Sequence, residues 1–312
     1  MSPRCAFVFP GQGSQALNMG KDFFDNFDVA KEMFDAAEKR VGIDFKKLLF
    51  EENDMLAQTA YTQPAILLIS MIAYKLFQSK CDIKPTVALG HSLGEFSALA
   101  CVGALDAMDA VALVHIRGKL MAEACEGKDV GMLVSLGLED DVVEDVCQKA
   151  RGEGKQVWAV NYNTTGQIVI AGIKSDLEML VDVLKDAGAK RAMLLNMSVA
   201  SHCPLLQSAI MPLEAELKNA LKDHFNAPVI SNVTAKAYTS KEEALALLGK
   251  QLIMPVLYKQ SIAAIDDEVD CYIEFGHGNI LKGLHRNLTS KPHFNVSDMA
   301  SLEATIDALK EL

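Results

Sequence analysis

The segment 88–96 carries the residues best suited to nucleophilic chemistry. It contains Gly90-His91-Ser92-Leu93-Gly94, a serine framed by two glycines, between a short apolar run and a helix-forming run. This pattern is typical of a nucleophile elbow, in which a strand (predicted over 86–89) turns sharply into a helix (predicted over 93–101). We expect Ser92 to have a strained backbone and an exposed hydroxyl beside the Leu93 amide. The alternative is a tight glycine turn in which Ser92 has no chemical role.

A serine nucleophile needs a base, because its hydroxyl is almost fully protonated at neutral pH. Among the seven histidines we favour His202, in the loop 199–204, where we expect the chain to pass between two domains and face a cleft. His277, in Gly276-His277-Gly278-Asn279, is the alternative. His91 adjoins Ser92 on the predicted turn, so we expect its side chain to point away from the serine. No Asp or Glu is placed to orient the histidine, which argues against an ordinary esterase.

The elements around the elbow alternate between strand and helix. A buried strand is predicted over 5–9, helical periodicity dominates 22–80 with a helix start at 62–64, and strands are predicted at 228–230 and 271–275. Asp106 is predicted to cap a helix that contains Arg117 and reaches about Ala124. This alternation indicates a parallel sheet.

Residues 127–197 follow a second pattern. Strands at 131–136, 157–162, 167–171 and 192–197, with helices at 139–150 and 174–187, give the order β-α-β-β-α-β of a ferredoxin-like domain. We therefore predict an α/β fold in two parts. Residues 1–126 and 198–312 would form a hydrolase-like large domain with a parallel sheet and the nucleophile elbow, and 127–197 would form an inserted ferredoxin-like small domain.

Composition excludes several classes of protein. The chain has 312 residues, half of them hydrophobic, and a net charge of −11, which argues against general nucleic-acid binding and against an anionic membrane surface. Seven dispersed cysteines without a Cys-x-x-Cys motif favour a reducing compartment. No signal peptide is evident, and the apolar stretches 65–73 and 98–114 are short or interrupted by aspartates. We expect a cytoplasmic, soluble protein, monomeric and without a membrane span.

Five motifs, taken in order, resemble one enzyme family over nearly the whole chain. They are Phe9-Pro10-Gly11-Gln12-Gly13-Ser14-Gln15, Gly90-His91-Ser92-Leu93-Gly94-Glu95, Arg117-Gly118, Ser201-His202 and Gln251-x-x-x-Pro255-Val256. The set resembles the malonyl-CoA:acyl carrier protein transacylases of bacterial fatty-acid synthesis. The resemblance implies transfer of a malonyl group from malonyl-CoA to the phosphopantetheine thiol of acyl carrier protein, with no metal and no cofactor of the enzyme's own.

The resemblance also implies roles for individual residues. Ser92 would carry the malonyl ester and His202 would act as base and then acid. The backbone carbonyl of Gln251 would orient His202, and the amides of Gln12 and Leu93 would form the oxyanion hole.

Arg117 would bind the free malonyl carboxylate. Most helical arginines form surface ion pairs, but a carboxylate held beside a thioester needs a charge-assisted partner, and a guanidinium binds it through two parallel hydrogen bonds.

Further residues are candidates for lining the cleft. Asn161, Asn232 and Asn279 lie at predicted strand ends, where capping is an equal alternative, and His91 and Gly276 lie in the motif loops. Carrier proteins of this pathway are acidic, so we predict a local basic patch at the cleft mouth, composed of Lys190, Arg191, Lys282 and Arg286.

Several alternatives remain open at this point. A serine esterase or thioesterase would hydrolyse its acyl-enzyme, and an idle acyl-CoA-binding protein would form no adduct at Ser92. A polyketide-pathway transacylase would use the same chemistry with another carrier. Ala200-Ser201-His202 resembles a sequence that modular acyltransferases use for methylmalonyl units, so methylmalonyl tolerance is open. Gly11-x-Gly13-x-x-Ala16 matches the dinucleotide-binding fingerprint only loosely, and no clear second strand ending in Asp or Glu follows it, so we interpret it as a loop that lends amides to an oxyanion and not as a nicotinamide site.

Overall fold

A computed structural model describes residues 2–197 and 199–312 of the chain. It has a mixed α/β fold built on two sheets. The predicted domain boundary at residue 198 lies outside the described residues.

The larger sheet has the strand order β10-β9-β1-β2-β7-β8. Its strands are β1 (Cys5–Phe9), β2 (Pro85–Gly90), β7 (Val229–Ile230), β8 (Ala237–Tyr238), β9 (Cys271–Phe275) and β10 (His293–Val296). All neighbours pair in parallel except β7 with β8. The parallel sheet predicted from the sequence is thus confirmed, and its last strand is antiparallel.

The central strand β1 is buried along its whole length. Phe7 and Phe9 pack against Phe275 on one side of the sheet, whereas Ala6 and Val8 belong to a second hydrophobic cluster. A parallel strand covered on both faces is apolar at every position, which is why this run shows no alternation of polar and apolar residues.

Helices cover the larger sheet and connect its strands. They are α1 (Lys21–Asn26), α2 (Asp28–Val41), α3 (Phe45–Phe50), α4 (Thr59–Lys80), α5 (Gly94–Cys101), α6 (Ala107–Ala124), α9 (Ile210–Ala220), α10 (Lys241–Gln251), α11 (Tyr258–Ile265), α12 (Ile280–His285) and α13 (Met299–Leu309), with short 3-10 helices at Pro204–Ala209 and Asp266–Glu268. The predicted cap of α6 is confirmed, because the Asp106 side chain accepts hydrogen bonds from the amides of Met108 and Asp109.

Helix α4 begins at Thr59, three residues before the predicted start, and therefore contains Pro64. A proline lacks the N–H that would bond the carbonyl four residues earlier. That carbonyl belongs to Ala60, and it accepts a hydrogen bond from His115 Nδ1 at 2.7 Å instead. Helix α4 has the length and composition of a membrane span, but 78% of its apolar window is buried inside the protein, as in a core helix.

The smaller sheet is antiparallel, with the order β4-β5-β3-β6. It consists of β3 (Val130–Leu136), β4 (Val157–Thr164), β5 (Gln167–Ile173) and β6 (Arg191–Leu194), with α7 (Asp140–Gly152) and α8 (Lys174–Asp186) between them. Strand β6 ends three residues before the predicted end, because its register with β3 stops at Leu194. After the strand, Leu195 donates its backbone N–H to Met132 O, and Leu195 and Met197 line a cavity. Backbone hydrogen bonds of Val256 with Val160 and Tyr162 join β4 to the larger part of the molecule.

Candidate active site

The nucleophile elbow is formed where β2 ends at Gly90 and α5 begins at Gly94. Ser92, between them, has φ 53°, a left-handed conformation that is costly for a side chain other than glycine. A Cβ on Gly90 would lie 2.0 Å from the carbonyl carbon of Gly94, and one on Gly94 would lie 2.0 Å from Phe9 O. Gly90 therefore permits the close approach of β2 and α5, and Gly94 permits the close approach of α5 and β1.

His202 contacts both the Ser92 hydroxyl and a backbone carbonyl. Its Nε2 lies 2.7 Å from Ser92 Oγ, and its Nδ1 lies 2.6 Å from the carbonyl oxygen of Gln251. Because a carbonyl only accepts, Nδ1 carries the proton and Nε2 is free to accept the serine proton. Burial, followed by the charge of Arg117, lowers the pKa of His202 to about 3. The imidazole is consequently neutral at physiological pH, which is the form a general base requires.

Arg117 on α6 is buried, with 1% of its surface exposed. Its Nη1 donates to Gln63 Oε1 at 2.7 Å, and its Nη2 donates to Gln251 Oε1 at 2.9 Å and to Ser92 Oγ at 3.3 Å. Its guanidinium lies over the Phe96 ring, 5.3 Å from the centroid. Burial lowers the pKa of Arg117 to about 10, so a cation lies beside the nucleophile at neutral pH.

Gln12 and Leu93 both line the cavity that contains Ser92. We find no acceptor for the backbone N–H of either residue among residues 2–197 and 199–312. Leu93 also directly precedes α5, where helix N–H groups lack partners inside the helix. Two free amides thus adjoin the space above Ser92, as an oxyanion hole requires.

The cavity has a volume of about 380 Å³ and lies between the elbow, the smaller sheet and α12. Ser92, Arg117 and His202 line it, together with other polar residues: Gln12, Gln63, His91, Asn161, Asn163, Gln167 and Ser201. Its walls are mostly apolar, with side chains from β3, β5, α6, α12 and the segment after β6: Met121, Met132, Val134, Leu136, Val169, Leu195, Met197, Ile280, Leu281 and Leu284. Within the described ranges, we find no group of three or more His, Cys, Asp or Glu side chains arranged to hold a metal ion.

The structure places two of the five further candidates in the cavity wall. Asn161 lines it, and so does His91, whose side chain we expected to point away from Ser92. Its Nε2 lies 2.8 Å from Oδ1 of Asn163 on β4. His277, the alternative base, is not among the residues that line the cavity, whereas His202 is.

Asn232, Gly276 and Asn279 are not among the residues that line this cavity. Asn232 lies behind the elbow, where its side chain accepts from the Ser92 amide and donates to Gly90 O, both at 2.7 Å. Gly276 packs so closely that a Cβ there would lie 2.8 Å from Ser70 Oγ. Asn279 precedes α12 and lines a separate hollow.

Two buried polar residues at this site were not predicted. Gln63, a buried residue of α4, accepts a hydrogen bond from Arg117 through its Oε1. Glu95, 1% exposed, accepts hydrogen bonds from Gln251 Nε2, the backbone N–H of Asn232 and the Tyr238 hydroxyl. Burial raises the pKa of Glu95 to about 7, against the effect of those three donors. The sequence does carry one signal for Glu95, because a charged residue stands next to Gly94 at the start of an apolar helix.

Comparison with known proteins identifies the family. Residues 6–305 match the model of the acyl transferase domain. The malonyl CoA-acyl carrier protein transacylase of Haemophilus influenzae is 38% identical over 308 residues, covering 97% of this chain and 98% of the relative. The corresponding Bacillus subtilis protein is 37% identical over 311 residues, covering 99% and 98%.

Solved structures agree with this match. The crystal structure of malonyl-CoA:acyl carrier protein transacylase from Helicobacter pylori is 46% identical, with a TM-score of 0.96 and 99% of each chain covered. A malonyl-transacylase in complex with its type II polyketide synthase acyl carrier protein is 37% identical, with a TM-score of 0.94 and coverage of 99% and 100%. The chain belongs to the acyl transferase domain family, within its malonyl CoA-acyl carrier protein transacylases.

Proposed function

We propose that this protein transfers the malonyl group of malonyl-CoA to the phosphopantetheine thiol of acyl carrier protein through a malonyl ester on Ser92. The observation that carries the proposal is the buried Arg117, whose Nη2 lies 3.3 Å from Ser92 Oγ beside the Ser92–His202 pair. A buried cation next to a nucleophile selects an acyl group that ends in a carboxylate. The names of the relatives support malonyl-CoA and acyl carrier protein as the two substrates.

The first half of the reaction loads the enzyme. Ser92 Oγ attacks the thioester carbonyl while His202 Nε2 takes the hydroxyl proton. The backbone N–H groups of Gln12 and Leu93 bind the resulting oxyanion. The C–S bond then breaks, and His202 returns the proton to the departing CoA thiolate. The product of this half-reaction is malonyl-Ser92 and free CoA.

In the second half of the reaction, the malonyl group passes from Ser92 to the carrier. The phosphopantetheine thiol of the carrier enters the same cavity, His202 takes its proton, and the thiolate attacks the ester carbonyl. The C–O bond to Ser92 breaks, and the proton on His202 returns to Oγ. The two half-reactions share one site, so ping-pong kinetics follow.

The malonyl carboxylate also tunes the base. The charge of Arg117 contributes to the lowered pKa of His202. A carboxylate bound to Arg117 offsets that charge and makes His202 a stronger base when malonyl is in place. An acyl group without a carboxylate lacks both this effect and the anchor.

The domain assignment follows the topology. We propose that residues 127–197 form a ferredoxin-like domain inserted into a hydrolase-like domain of residues 1–126 and 198–312. Support comes from the antiparallel order β4-β5-β3-β6, with α7 after the first strand and α8 after the third strand in chain order. Between the two lies the cavity, which accommodates an acyl-pantetheine arm.

The proposal includes a cytoplasmic, monomeric enzyme that uses no metal and no cofactor of its own, with CoA and the carrier's phosphopantetheine acting as substrates. Light scattering after gel filtration tests the oligomeric state. A monomer should have the mass of one chain, 33.9 kDa.

Replacement of Arg117 tests the choice of acyl group. In Arg117→Ala, we expect malonylation of Ser92 to slow by about 100-fold and acetylation by far less, because a charge-assisted anchor contributes about 1.5–3 kcal/mol. Arg117→Lys is the matched control, which keeps a charge without the two-point geometry and should recover part of the malonyl rate. The measurement is the rate of adduct formation by quenched-flow mass spectrometry. Equal losses for malonyl and acetyl would contradict the carboxylate role.

A further inference from the structure

Glu95 lies buried directly behind the nucleophile, three residues after Ser92, on the first turn of α5. Three neutral donors converge on its carboxyl group. Gln251 Nε2, at 2.7 Å, and the backbone N–H of Asn232, at 3.1 Å, donate to Oε2, and the Tyr238 hydroxyl donates to Oε1 at 3.0 Å. The two N–H donors on Oε2 cannot accept, so a proton on Glu95 would have to lie on Oε1 and be shared with the Tyr238 hydroxyl, whereas the carboxylate accepts from all three donors.

The amide of Gln251 lies between two buried charges. Its Oε1 accepts from Arg117 Nη2 at 2.9 Å, and its Nε2 donates to Glu95. A flipped amide would set N–H against the guanidinium and oxygen against the carboxylate, so the two charges together fix its orientation. The same Nε2 donates to the Ser92 carbonyl at 3.1 Å, and the Gln251 backbone carbonyl binds His202.

We propose that Glu95 is a positioning residue for malonyl transfer: its carboxylate fixes the Gln251 amide, which holds Arg117 and Ser92 in the geometry that accepts a malonyl group. This inference rests on the proposed function. Glu95 is not among the cavity-lining residues, so it acts through Gln251 and not by touching substrate. Loss of the carboxylate should therefore reduce the preference for malonyl over acetyl groups and not only the amount of folded protein.

If the Glu95 carboxylate positions Gln251, the preference of the enzyme for malonyl over acetyl groups depends on pH. Around Glu95, burial raises the pKa of Tyr238 on β8 and lowers the pKa of Arg117 to about 10 and of His202 to about 3. Glu243, on α10, acts on Tyr238 and has a pKa below its usual value. Of these groups, Glu95, with a pKa of about 7, is the one that titrates between pH 5.5 and 8.5.

The test is the ratio of malonylation to acetylation rates at Ser92, measured on the full-length enzyme with malonyl-CoA and acetyl-CoA from pH 5.5 to 8.5. In the native enzyme, the ratio should fall on acidification with a midpoint near pH 7. In Glu95→Gln, which keeps the shape and removes the charge, the ratio at pH 8 should be lower by about 10- to 100-fold and flat with pH.

A second variant covers the case in which Glu95→Gln does not fold. Tyr238→Phe removes one donor that lowers the pKa of Glu95, so the midpoint should move to higher pH. Glu274→Gln is the matched control, because Glu274 on β9 is also a fully buried carboxyl with a pKa raised to about 7, and it should keep the native midpoint and ratio.

Two results overturn the inference: a Glu95→Gln enzyme with the native ratio and pH profile, or a Tyr238→Phe enzyme with an unmoved midpoint. Failure of the proposed function is distinguishable, because the native enzyme would then form no malonyl adduct at any pH.

Discussion

At the residue scale, the site contains a buried carboxylate, Glu95, whose ionisation lowers the stability of the folded state. Burial raises the pKa of Glu95 from 4.5 to about 7. The native state therefore binds this proton more tightly than the unfolded chain, and the stability it contributes is complete below pH 4.5 and lost as pH rises through 7. The full loss is about 3 kcal/mol. Functional sites commonly accept such a cost.

Glu95→Gln measures this cost directly. We expect the free energy of unfolding of Glu95→Gln, minus that of the wild-type protein, to rise between pH 5.5 and 8, because only the wild-type protein ionises a buried carboxyl at position 95. Urea unfolding at several pH values gives the difference, in which the other titrating groups cancel. A difference independent of pH would show that Glu95 does not have a raised pKa.

The same residue marks what the sequence could not reveal. Ser92, His202 and Arg117 each stand in a motif and could be predicted. Glu95 acquires its role from Asn232, Tyr238 and Gln251, which lie 137, 143 and 156 residues further along the chain. No local pattern reports contacts over that distance.

At the element scale, the elbow depends on two glycines. In Gly90→Ala, the new Cβ would lie 2.0 Å from the Gly94 backbone, which has no flexible side chain to move aside. We expect a loss of about 3 kcal/mol or more in unfolding free energy and a loss of Ser92 acylation. Thermal and urea unfolding measure the first effect, and adduct formation measures the second.

Gly152→Ala provides the control for that substitution. Gly152 is the last residue of α7, and a Cβ there meets no atom within 4 Å. Replacement should leave acylation unchanged and raise stability by up to about 1 kcal/mol, because alanine is the better helix former. Equal effects of the two substitutions would mean that the close approach of β2 and α5 is not the cause.

Elements were predicted well where periodicity alone decides them and less well where tertiary contacts do. Strand β9 has the predicted bounds. Helix α4 extends past its predicted start because His115, from another helix, satisfies the carbonyl that Pro64 leaves free. Strand β6 is shorter than predicted because its pairing with β3 runs only from Arg191 to Leu194, although the apolar sequence continues to Met197.

At the scale of the whole molecule, the chain has a net charge of −11 and is proposed to bind an acidic carrier. Two exposed arginines of the predicted basic patch lie next to residues that line the cavity. Arg191 pairs in register with Leu136, and Arg286 lies two residues after Leu284; both leucines line the cavity. A local patch of this kind would attract the carrier despite the overall charge.

Charge reversal tests this patch. In Arg191→Glu combined with Arg286→Glu, we expect kcat/KM for the carrier to fall by about 10-fold or more at low salt, with acylation by malonyl-CoA changed much less. Added salt should narrow the difference from the native enzyme. Lys39→Glu, an exposed charge on α2 away from the cavity lining, is the control. Carrier kinetics that match the native enzyme would refute the patch.

The most direct test of the central claim is intact-protein mass spectrometry after brief incubation with malonyl-CoA and then with phosphopantetheinylated carrier. We predict one malonyl adduct that maps to Ser92, is absent from Ser92→Ala, and moves to the carrier thiol. An adduct lost only to water would indicate a thioesterase, and the absence of any adduct would contradict the proposed transfer altogether.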